Sequence, residues 1–370
     1  MLPSRTHAAR LAALAALALA ACRSTGAPDP ARAGAAPAWE RDNPLRPLPA
    51  APLGIEVDWK AGQVTVTPEK VRLGRWLFYD PRLSADGTVS CATCHKPEHA
   101  FSETTPHSTG IAGKTGTRKS PSFVNGAFPV YPRYFWDGRA ASLQEQAKGP
   151  MVNPVEMGRP SHDEVVATVS RIGGYRRYFA EAFGDERITL DRVVDALAAY
   201  EATRLSGNSA FDRFDAGDEA ALTPSARRGL AIFFSYGRCN QCHLGQNFTD
   251  GRFHNLGVGW KDPGPGRPAL EGFADRGRYE VTHDPRDLGA FKTPTLRDCS
   301  RHAPYMHDGS MATLREVMFH YARGGTPNPG LDEAIFRFPL SERDADDLVA
   351  FMEALDGEGY ADAAPAHLPQ

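Results

Sequence analysis

Two copies of the motif Cys-x-x-Cys-His constrain this 370-residue chain more than any other feature. The first copy covers residues 91–95 and the second covers residues 239–243. In each copy, two thiols three positions apart can bond to the two vinyl groups of one porphyrin, and the adjacent histidine can bind its iron. A zinc ribbon also uses paired cysteines, but these pairs lie 148 residues apart, beyond the compact spacing of such a site. The motifs therefore predict two covalently bound haem c groups, with the binding residues Cys91, Cys94, His95, Cys239, Cys242 and His243.

The N-terminus has the pattern of an export signal. Two arginines precede an apolar run of 11 residues at 11–21, which is roughly half the length that would span a bilayer. The run ends in Leu-Ala-Ala-Cys, which is typical of a lipoprotein signal and predicts lipid modification of Cys22; the alternative is a plain cleaved signal. We expect a protein on the periplasmic side of a bacterial membrane, held by the lipid anchor alone. Arg23 favours the outer membrane in a Gram-negative cell, because an aspartate in that position favours inner-membrane retention.

A short repeat precedes each haem motif. Residues 67–79 and 223–234 both begin with Thr-Pro, which caps a helix and starts its first turn. Both continue with a glycine, an aliphatic residue and a phenylalanine at matching positions. The repeat predicts a mostly α fold with two tandem cytochrome c-like domains, long loops and one haem c in each domain.

The pattern along the chain gives the expected boundaries. They are a lipoprotein signal peptide at 1–21, an Ala/Pro-rich tether at 22–52, an N-terminal domain at 53–215, a C-terminal domain at 216–358 and a tail at 359–370. Capping signals and helical spacing of apolar residues predict further helices at 161–172, at 189–205, after residue 313 and at 341–355. Residues 247–292 are rich in Gly, Pro and charge, so we expect a long ordered loop there with a short hairpin.

Charge excludes one class of partner. The formal net charge is −3 at pH 7, and the sequence contains no basic run or basic stripe. A protein that binds nucleic acid would need such a basic surface, so we do not expect this chain to bind nucleic acid.

The residues around the two motifs resemble the bacterial di-haem cytochrome c peroxidase and MauG superfamily. The resemblance covers about residues 68–355, and its pieces occur in the family's order. These pieces are Arg82–Gly87, Phe135–Arg139, Gln144–Pro150, Asn153–Met157, Phe291–Arg297 and Ala303–Ser310. Within the superfamily, the sequence is most similar to MauG-like di-haem lipoproteins of the MbnH type.

The resemblance implies a role for each haem and for the residues between them. The N-terminal haem (haem 1) would react with peroxide, and the C-terminal haem (haem 2) would transfer electrons. Glu156 matches the distal acid–base residue, which moves a proton between the two peroxide oxygens. Gln146 and Pro150 match residues that hydrogen-bond in the distal pocket and shape it, and Trp136 matches the tryptophan between the haems.

The resemblance also implies the remaining iron ligands. Peroxidases carry a distal histidine on haem 1, but Ile111 stands at that position and cannot bind iron; His107 is the alternative. For the sixth ligand of haem 2, Tyr321 matches the tyrosine of MauG-like proteins, while Met318 or Met306 would match the methionine of peroxidases. Both Ile111 and Tyr321 favour the MauG side.

Calcium is a further cofactor of the superfamily, where it lies between the haems near an asparagine. Lys119 stands at that position here and is a cation without an acceptor group. We therefore expect either no calcium or a calcium ion held by backbone carbonyls and water.

The function implied by this resemblance is a peroxide-dependent oxidation. Hydrogen peroxide would form high-valent haem, which oxidises an aromatic residue, notably tryptophan, on a periplasmic or secreted partner protein by long-range electron transfer. One alternative is a cytochrome c peroxidase that takes electrons from a small cytochrome or cupredoxin. The second alternative is a di-haem electron carrier without enzymatic activity.

Overall fold

The computed structural model describes residues 36–59, 64–128 and 132–370. The predicted signal peptide and Cys22 lie outside the described residues. The described part is mostly helical, which confirms the predicted fold class. Its α-helices are α1 Ala38–Asp42, α2 Pro68–Tyr79, α3 Cys91–Cys94, α4 Leu143–Val152, α5 His162–Arg171, α6 Gly173–Phe183, α7 Leu190–Ala202, α8 Ala210–Asp215, α9 Pro224–Phe234, α10 Tyr279–Thr282, α11 Leu314–Ala322 and α12 Glu342–Glu353. None of these helices is long and apolar enough to cross a membrane.

Short irregular elements join the helices. Single 3-10 turns occur at Pro81–Leu83, Pro97–His99, Ile111–Gly113, Cys239–Gln241, Ala269–Gly272, Pro285–Asp287 and Cys299–Arg301. Strands β1 (Phe253–Asn255) and β2 (Ala290–Lys292) pair antiparallel, with His254 opposite Phe291. This small sheet joins the two ends of the long loop expected at 247–292, so its strands are not connected by a tight hairpin turn.

Capping side chains set where the predicted helices begin. Each predicted helix starts after a Ser or Thr whose side chain accepts a hydrogen bond from the backbone N–H three residues later, which satisfies a donor that the helix leaves free. These caps are Thr67, Ser161, Thr189, Thr223, Thr313 and Ser341. Helices α1, α3, α4, α6, α8 and α10 were not predicted from the sequence.

Two closely crossed helix pairs form the cores of the two halves. In the N-terminal half α2 packs on α7, and a Cβ atom added to Gly74 would lie 1.9 Å from the carbonyl oxygen of Ala196. In the C-terminal half α9 packs on α12, and a Cβ atom added to Gly229 would lie 2.0 Å from the carbonyl oxygen of Asp347. The repeated glycine in the sequence therefore permits the same close crossing twice.

We expect Gly229→Ala to destabilise the protein, because the new methyl group overlaps backbone that cannot rotate away. Overpacking of this kind costs about 1–3 kcal/mol of unfolding free energy. Gly173→Ala is the matched control, since a Cβ atom at this helical glycine meets nothing within 4 Å. Thermal unfolding of both holoproteins checks this: equal midpoints would contradict the close crossing.

Part of the expected tether is packed rather than extended. The indole N–H of Trp39 on α1 donates to the hydroxyl of Tyr178 at 2.7 Å. Asn43 is buried, and its amide donates to the carbonyl oxygen of Arg72 at 2.9 Å. The prediction of a tether is therefore wrong for residues 38–43, because the indole and the amide both find partners on the folded N-terminal half.

The C-terminal tail returns to the N-terminal half. The Nε–H of Arg75 is shared between the two carboxylate oxygens of Asp362, at 2.9 and 3.0 Å. At the end of the chain, the carbonyl oxygen of Gln370 accepts from the backbone N–H of Gly174 at 2.6 Å. The tail thus crosses from the second half and covers the helices of the first.

Candidate functional site

A cavity of about 1010 Å³ lies between the two halves of the chain, and residues of both Cys-x-x-Cys-His motifs line it. This volume reaches the upper end of ordinary ligand pockets, which measure roughly 300–1,000 Å³. Most of the predicted site residues also line it, namely Trp136, Gln146, Pro150, Glu156, Met306, Met318 and Tyr321. The fold therefore brings the two motifs and these side chains to one site.

The two motif histidines are oriented alike. Nδ1 of His95 donates to the carbonyl oxygen of Phe101, and Nδ1 of His243 donates to that of Phe248, each at 2.9 Å. Burial lowers the pKa of both imidazoles. Each ring is therefore neutral with its proton on Nδ1, which leaves the Nε2 lone pair free to bind iron.

The four motif cysteines suit thioether attachment. None of them forms a disulfide, and all are partly accessible. Burial raises the pKa of Cys94 to about 11 and that of Cys239 to about 12. Unpaired thiols beside a neutral imidazole, repeated at two places on a large cavity, fit two haem c groups.

The distal residues sit at the end of α4 and in the turn after it. Gln146 and Pro150 are one helical turn apart and share a face of α4. Since Pro150 has no N–H, the Gln146 carbonyl receives no helical hydrogen bond from it. The turn then folds back: Met157 N–H donates to Pro150 O at 3.1 Å, and Glu156 N–H donates to Asn153 O at 3.0 Å.

Burial raises the pKa of the Glu156 carboxyl, and the nearby Arg139 guanidinium partly offsets this effect. Arg139 is held in place because it stacks on the Phe135 ring at 3.5 Å and donates to Asp137 Oδ2 at 2.8 Å. A carboxyl group with a raised pKa gives and takes a proton closer to neutral pH than a solvated one does.

Residue 111 lies directly beside the Glu156 turn. The N–H of Ile111 donates to the carbonyl oxygen of Glu156 at 2.9 Å, and its side chain packs toward Gly158. His107 is exposed and is not among the described residues that line the cavity. Neither Ile111 nor His107 therefore brings an imidazole to the cavity.

Trp136 is fixed between the two halves. Its indole N–H donates to the carbonyl oxygen of Lys119 at 2.8 Å. Its own carbonyl oxygen accepts from the N–H of Lys292 in β2 at 2.8 Å. The ring and the backbone of Trp136 are thus each held by one hydrogen bond at the shared cavity.

The Lys119 side chain binds loop carbonyls. Lys119 is buried, and its ammonium donates to the carbonyl oxygens of Glu103 and Thr105. Burial lowers the pKa of Lys119 to about 8. The chain thus places its own cation at the position where we considered calcium.

Three residues remain candidates for the sixth ligand of haem 2. Tyr321 lies near the C-terminus of α11, and burial raises the pKa of its phenol. Met318 is buried one turn earlier on the same helix. Met306 lies outside α11, in a left-handed backbone conformation with φ 72°.

Two buried groups at this cavity, Glu201 and His302, were not predicted from the sequence. Glu201 at the end of α7 is 7% exposed, and burial raises its pKa to about 8. Both ring nitrogens of His302 are buried, and neither has a partner among the described residues. For Glu201 the available signal was a carboxylate on the apolar face of an amphipathic helix; for His302 the sequence offers none.

A third missed group, His254, lies beside the second motif. Its Nδ1 donates to Asp332 at 2.6 Å and its Nε2 donates to Asp250 at 3.0 Å. The hydrogen bond to Asp250, then contacts with Cys242 and Asp332, raise the pKa of His254 to about 11. A charged imidazolium therefore joins the loop after the proximal histidine to the segment after α11.

Comparisons with known proteins agree on one family. A family model described as di-haem cytochrome c peroxidase matches residues 68–220. The chain is 41% identical over 302 residues to the methylamine utilization protein MauG of Methylorubrum extorquens, covering 81% of this chain and 82% of that protein. It is 33% identical over 300 residues to the cytochrome c551 peroxidase of Nitrosomonas europaea, covering 79% and 82%. A crystal structure of a MauG-like protein associated with microbial copper homeostasis superimposes with a TM-score of 0.73 and 31% identity, covering 88% of this chain and 98% of that one.

Proposed function

Because this chain belongs to the di-haem cytochrome c peroxidase and MauG family, we propose that it uses hydrogen peroxide to oxidise an aromatic residue, foremost tryptophan, of a partner protein. The family consists of di-haem oxidoreductases that act with hydrogen peroxide, so the alternative of a non-enzymatic carrier is set aside. The observation that carries the proposal is the pairing of Ile111 with the Glu156 turn. Ile111 carries no iron-binding group, and the Glu156 carboxyl group beside it lines the cavity, so we place peroxide next to Glu156.

The side chains have distinct tasks in this proposal. Two haem c groups, on residues 91–95 and 239–243, supply the electron-accepting chemistry when bound. The Glu156 carboxylate takes the proton from one peroxide oxygen and returns it to the other, as a general acid–base must. Gln146 orients the peroxide by hydrogen bonding, and Pro150 shapes the pocket. Two electrons and two protons convert one hydrogen peroxide into two waters, and the partner supplies both electrons through Trp136.

A second candidate is a cytochrome c peroxidase with a small cytochrome or cupredoxin as electron donor. The observation in its favour is that Met318 and Met306 line the same cavity as Tyr321. A methionine on haem 2 would raise its potential and suit electron storage, whereas an anionic tyrosine favours higher oxidation states.

One experiment separates the two candidates. The ferric holoprotein is mixed with one equivalent of peroxide, and the return of the resting spectrum is followed with N-acetyltryptophanamide or with reduced cytochrome c. The proposed function predicts reaction without prior reduction, with tryptophanamide speeding the return. A protein that stays inert until reduced, and then turns over with cytochrome c, would be the peroxidase instead.

We also propose that the protein is exported and lipid-anchored through Cys22. The basis is the sequence of residues 1–22, with a short apolar run that ends in the lipoprotein motif. The mass of the mature N-terminal peptide tests this. A peptide that begins at Cys22 and carries a diacylglycerol supports the anchor, and an unmodified N-terminus contradicts it.

Calcium is not part of the proposed site, because the Lys119 ammonium already occupies the loop carbonyls. We therefore expect that removing divalent cations with EGTA leaves the visible and EPR spectra and the peroxide reaction of the holoprotein unchanged. Lys119→Asn is expected to make both depend on added calcium. Loss of the peroxide reaction in EGTA-treated native protein would show that a calcium ion is bound after all.

A further inference from the structure

A buried tyrosine with a carboxylate partner lies beside the proximal pocket of haem 1. Tyr200 on α7 is fully buried, and its hydroxyl donates to Asp362 Oδ2 at 2.6 Å. This length is in the range of a charge-assisted O–H···O⁻ bond. Burial raises the pKa of Asp362, but the hydrogen bonds from Arg75 and Tyr200 outweigh this, so its pKa is lowered and the group is a carboxylate.

A short chain of contacts joins this phenol to the iron ligand His95. The Tyr200 ring lies 6.4 Å from the Phe101 ring, centroid to centroid. The carbonyl oxygen of the same Phe101 accepts the Nδ1–H hydrogen bond of His95 at 2.9 Å. The connection therefore consists of one ring contact, one residue and one hydrogen bond.

A second tyrosine continues the chain toward the surface. The hydroxyl oxygens of Tyr200 and Tyr79 lie 3.5 Å apart, and Tyr79 is 8% exposed. The side chain of Asp362 is 12% exposed, so a proton that it receives has a route to water.

We propose that Tyr200 is a redox-active site that supplies an electron to haem 1 when hydrogen peroxide arrives and no partner protein is bound. This inference rests on the proposed peroxide reaction. Peroxide takes two electrons and two protons to become two waters. Tyr200 gives one electron, its O–H bond breaks, and the proton passes to Asp362, which leaves a neutral tyrosyl radical. The second electron would come from the two haem c groups when bound, and solvent supplies the two protons for water.

The charges around Tyr200 require that the proton leave with the electron. The guanidinium of Arg204 lies 4.6 Å from the centre of the Tyr200 ring. A positive charge at this distance raises the energy of a cationic ring by electrostatic repulsion, whereas it has little effect on the energy of a neutral radical. The carboxylate of Asp362 is therefore what makes oxidation of this tyrosine accessible. The site would draw oxidising equivalents away from the distal pocket, where they would damage the protein.

The chain contains a matched comparison. Tyr175 is also fully buried, and its hydroxyl donates to the carboxylate of Asp80 at 2.8 Å. Among the described residues, no aromatic ring contact links Tyr175 to the chain that ends at His95. If these hydrogen bonds only stabilise the fold, replacing Tyr200 and replacing Tyr175 should have similar effects. If Tyr200 has a redox role, only its replacement should affect the radical.

The test is EPR spectroscopy of the ferric holoprotein, frozen within milliseconds to seconds after mixing with hydrogen peroxide and no partner. We expect an organic radical signal near the free-electron g value that narrows when the protein contains ring-deuterated tyrosine. Tyr200→Phe and Asp362→Asn should each reduce this signal at least about tenfold, while Tyr175→Phe leaves it unchanged. Asp362→Asn retains a hydrogen-bond acceptor for the phenol, so it tests the inference even if Tyr200→Phe does not fold.

Two results would overturn the inference. One is a peroxide-induced optical change without a tyrosine radical, and the other is a radical that persists in folded Tyr200→Phe and Asp362→Asn. If peroxide produces no optical change in the native protein, the proposed function itself fails, so the optical record of the same samples distinguishes the two failures.

Discussion

Replacing Glu156 with Gln is expected to lower the rate constant for the reaction with hydrogen peroxide by about 10²–10⁴-fold. The amide has nearly the same shape as the carboxyl group but cannot accept the peroxide proton at neutral pH. Glu156 lines the shared cavity, and its carbonyl oxygen accepts a hydrogen bond from the N–H of Ile111. The measurement is stopped-flow absorbance of the ferric holoprotein at several peroxide concentrations.

The control for this variant is Glu145→Gln on the same helix. Glu145 is exposed and pairs with Lys148 at the surface, so its loss should leave the peroxide reaction unchanged. An equal rate constant for Glu156→Gln and the native protein would remove Glu156 from the proton transfer.

The rate of the same reaction should depend on pH in a defined direction. Glu156 must be deprotonated to accept a proton, and burial raises its pKa above the ordinary value of about 4.3. The rate should therefore be highest above this raised pKa and fall as the pH decreases through it. The acid limb should disappear in Glu156→Gln.

The second large effect is expected on stability, from Asp212→Asn. The carboxylate of Asp212 accepts two hydrogen bonds from the Arg297 guanidinium, both at 2.8 Å. The two side chains are only 2% and 1% exposed. Removing one charge leaves the guanidinium buried without its counter-charge, which costs about 3–5 kcal/mol of unfolding free energy.

This pair has a surface counterpart that serves as its control. Asp284 also accepts from an arginine, Arg286, but the side chain of Arg286 is 89% exposed. Asp284→Asn should change the unfolding free energy by no more than about 1 kcal/mol, since water solvates the charge that remains. If both variants showed the native midpoint in thermal unfolding, the buried pair would have no net role in stability.

The sequence predicted those parts of the fold that depend on local chemistry. A Thr followed by Pro caps a helix wherever it occurs, and Thr67 and Thr223 both do so here. The glycines Gly74 and Gly229 were recognised in the sequence as part of a repeat, but only the structure shows that each permits a close helix crossing. The mostly helical, two-haem organisation followed from these signals and from the spacing within each motif.

The parts that were missed depend on contacts between distant residues. Trp39 and Asn43 lie in an Ala/Pro-rich stretch whose composition indicates a tether, yet both bond to residues of the N-terminal half. The sequence indicates only that His254 lies in a loop. Its two carboxylate partners are brought to it by the fold. No local sequence pattern predicts such contacts between distant residues.

The haem-binding residues of the candidate site were predicted by motif spacing, whereas the distal residues and the residue between the haems were predicted by resemblance. Glu156 alone would read as a solvated carboxylate in a loop; its burial depends on how the turn after α4 folds back on Pro150. The carboxylate of Glu201, which resembles no quoted motif, was overlooked although it is buried at the same cavity.

We propose that the chain holds two unlike haems, with haem 1 open to peroxide at rest. The decisive measurement is a low-temperature EPR spectrum of the ferric protein as isolated. We expect a high-spin signal from haem 1 beside a low-spin signal from haem 2, in equal amounts, and loss of the high-spin signal on adding peroxide. Two low-spin signals would rule out an open haem 1, because they would mean that a side chain such as His107 closes it.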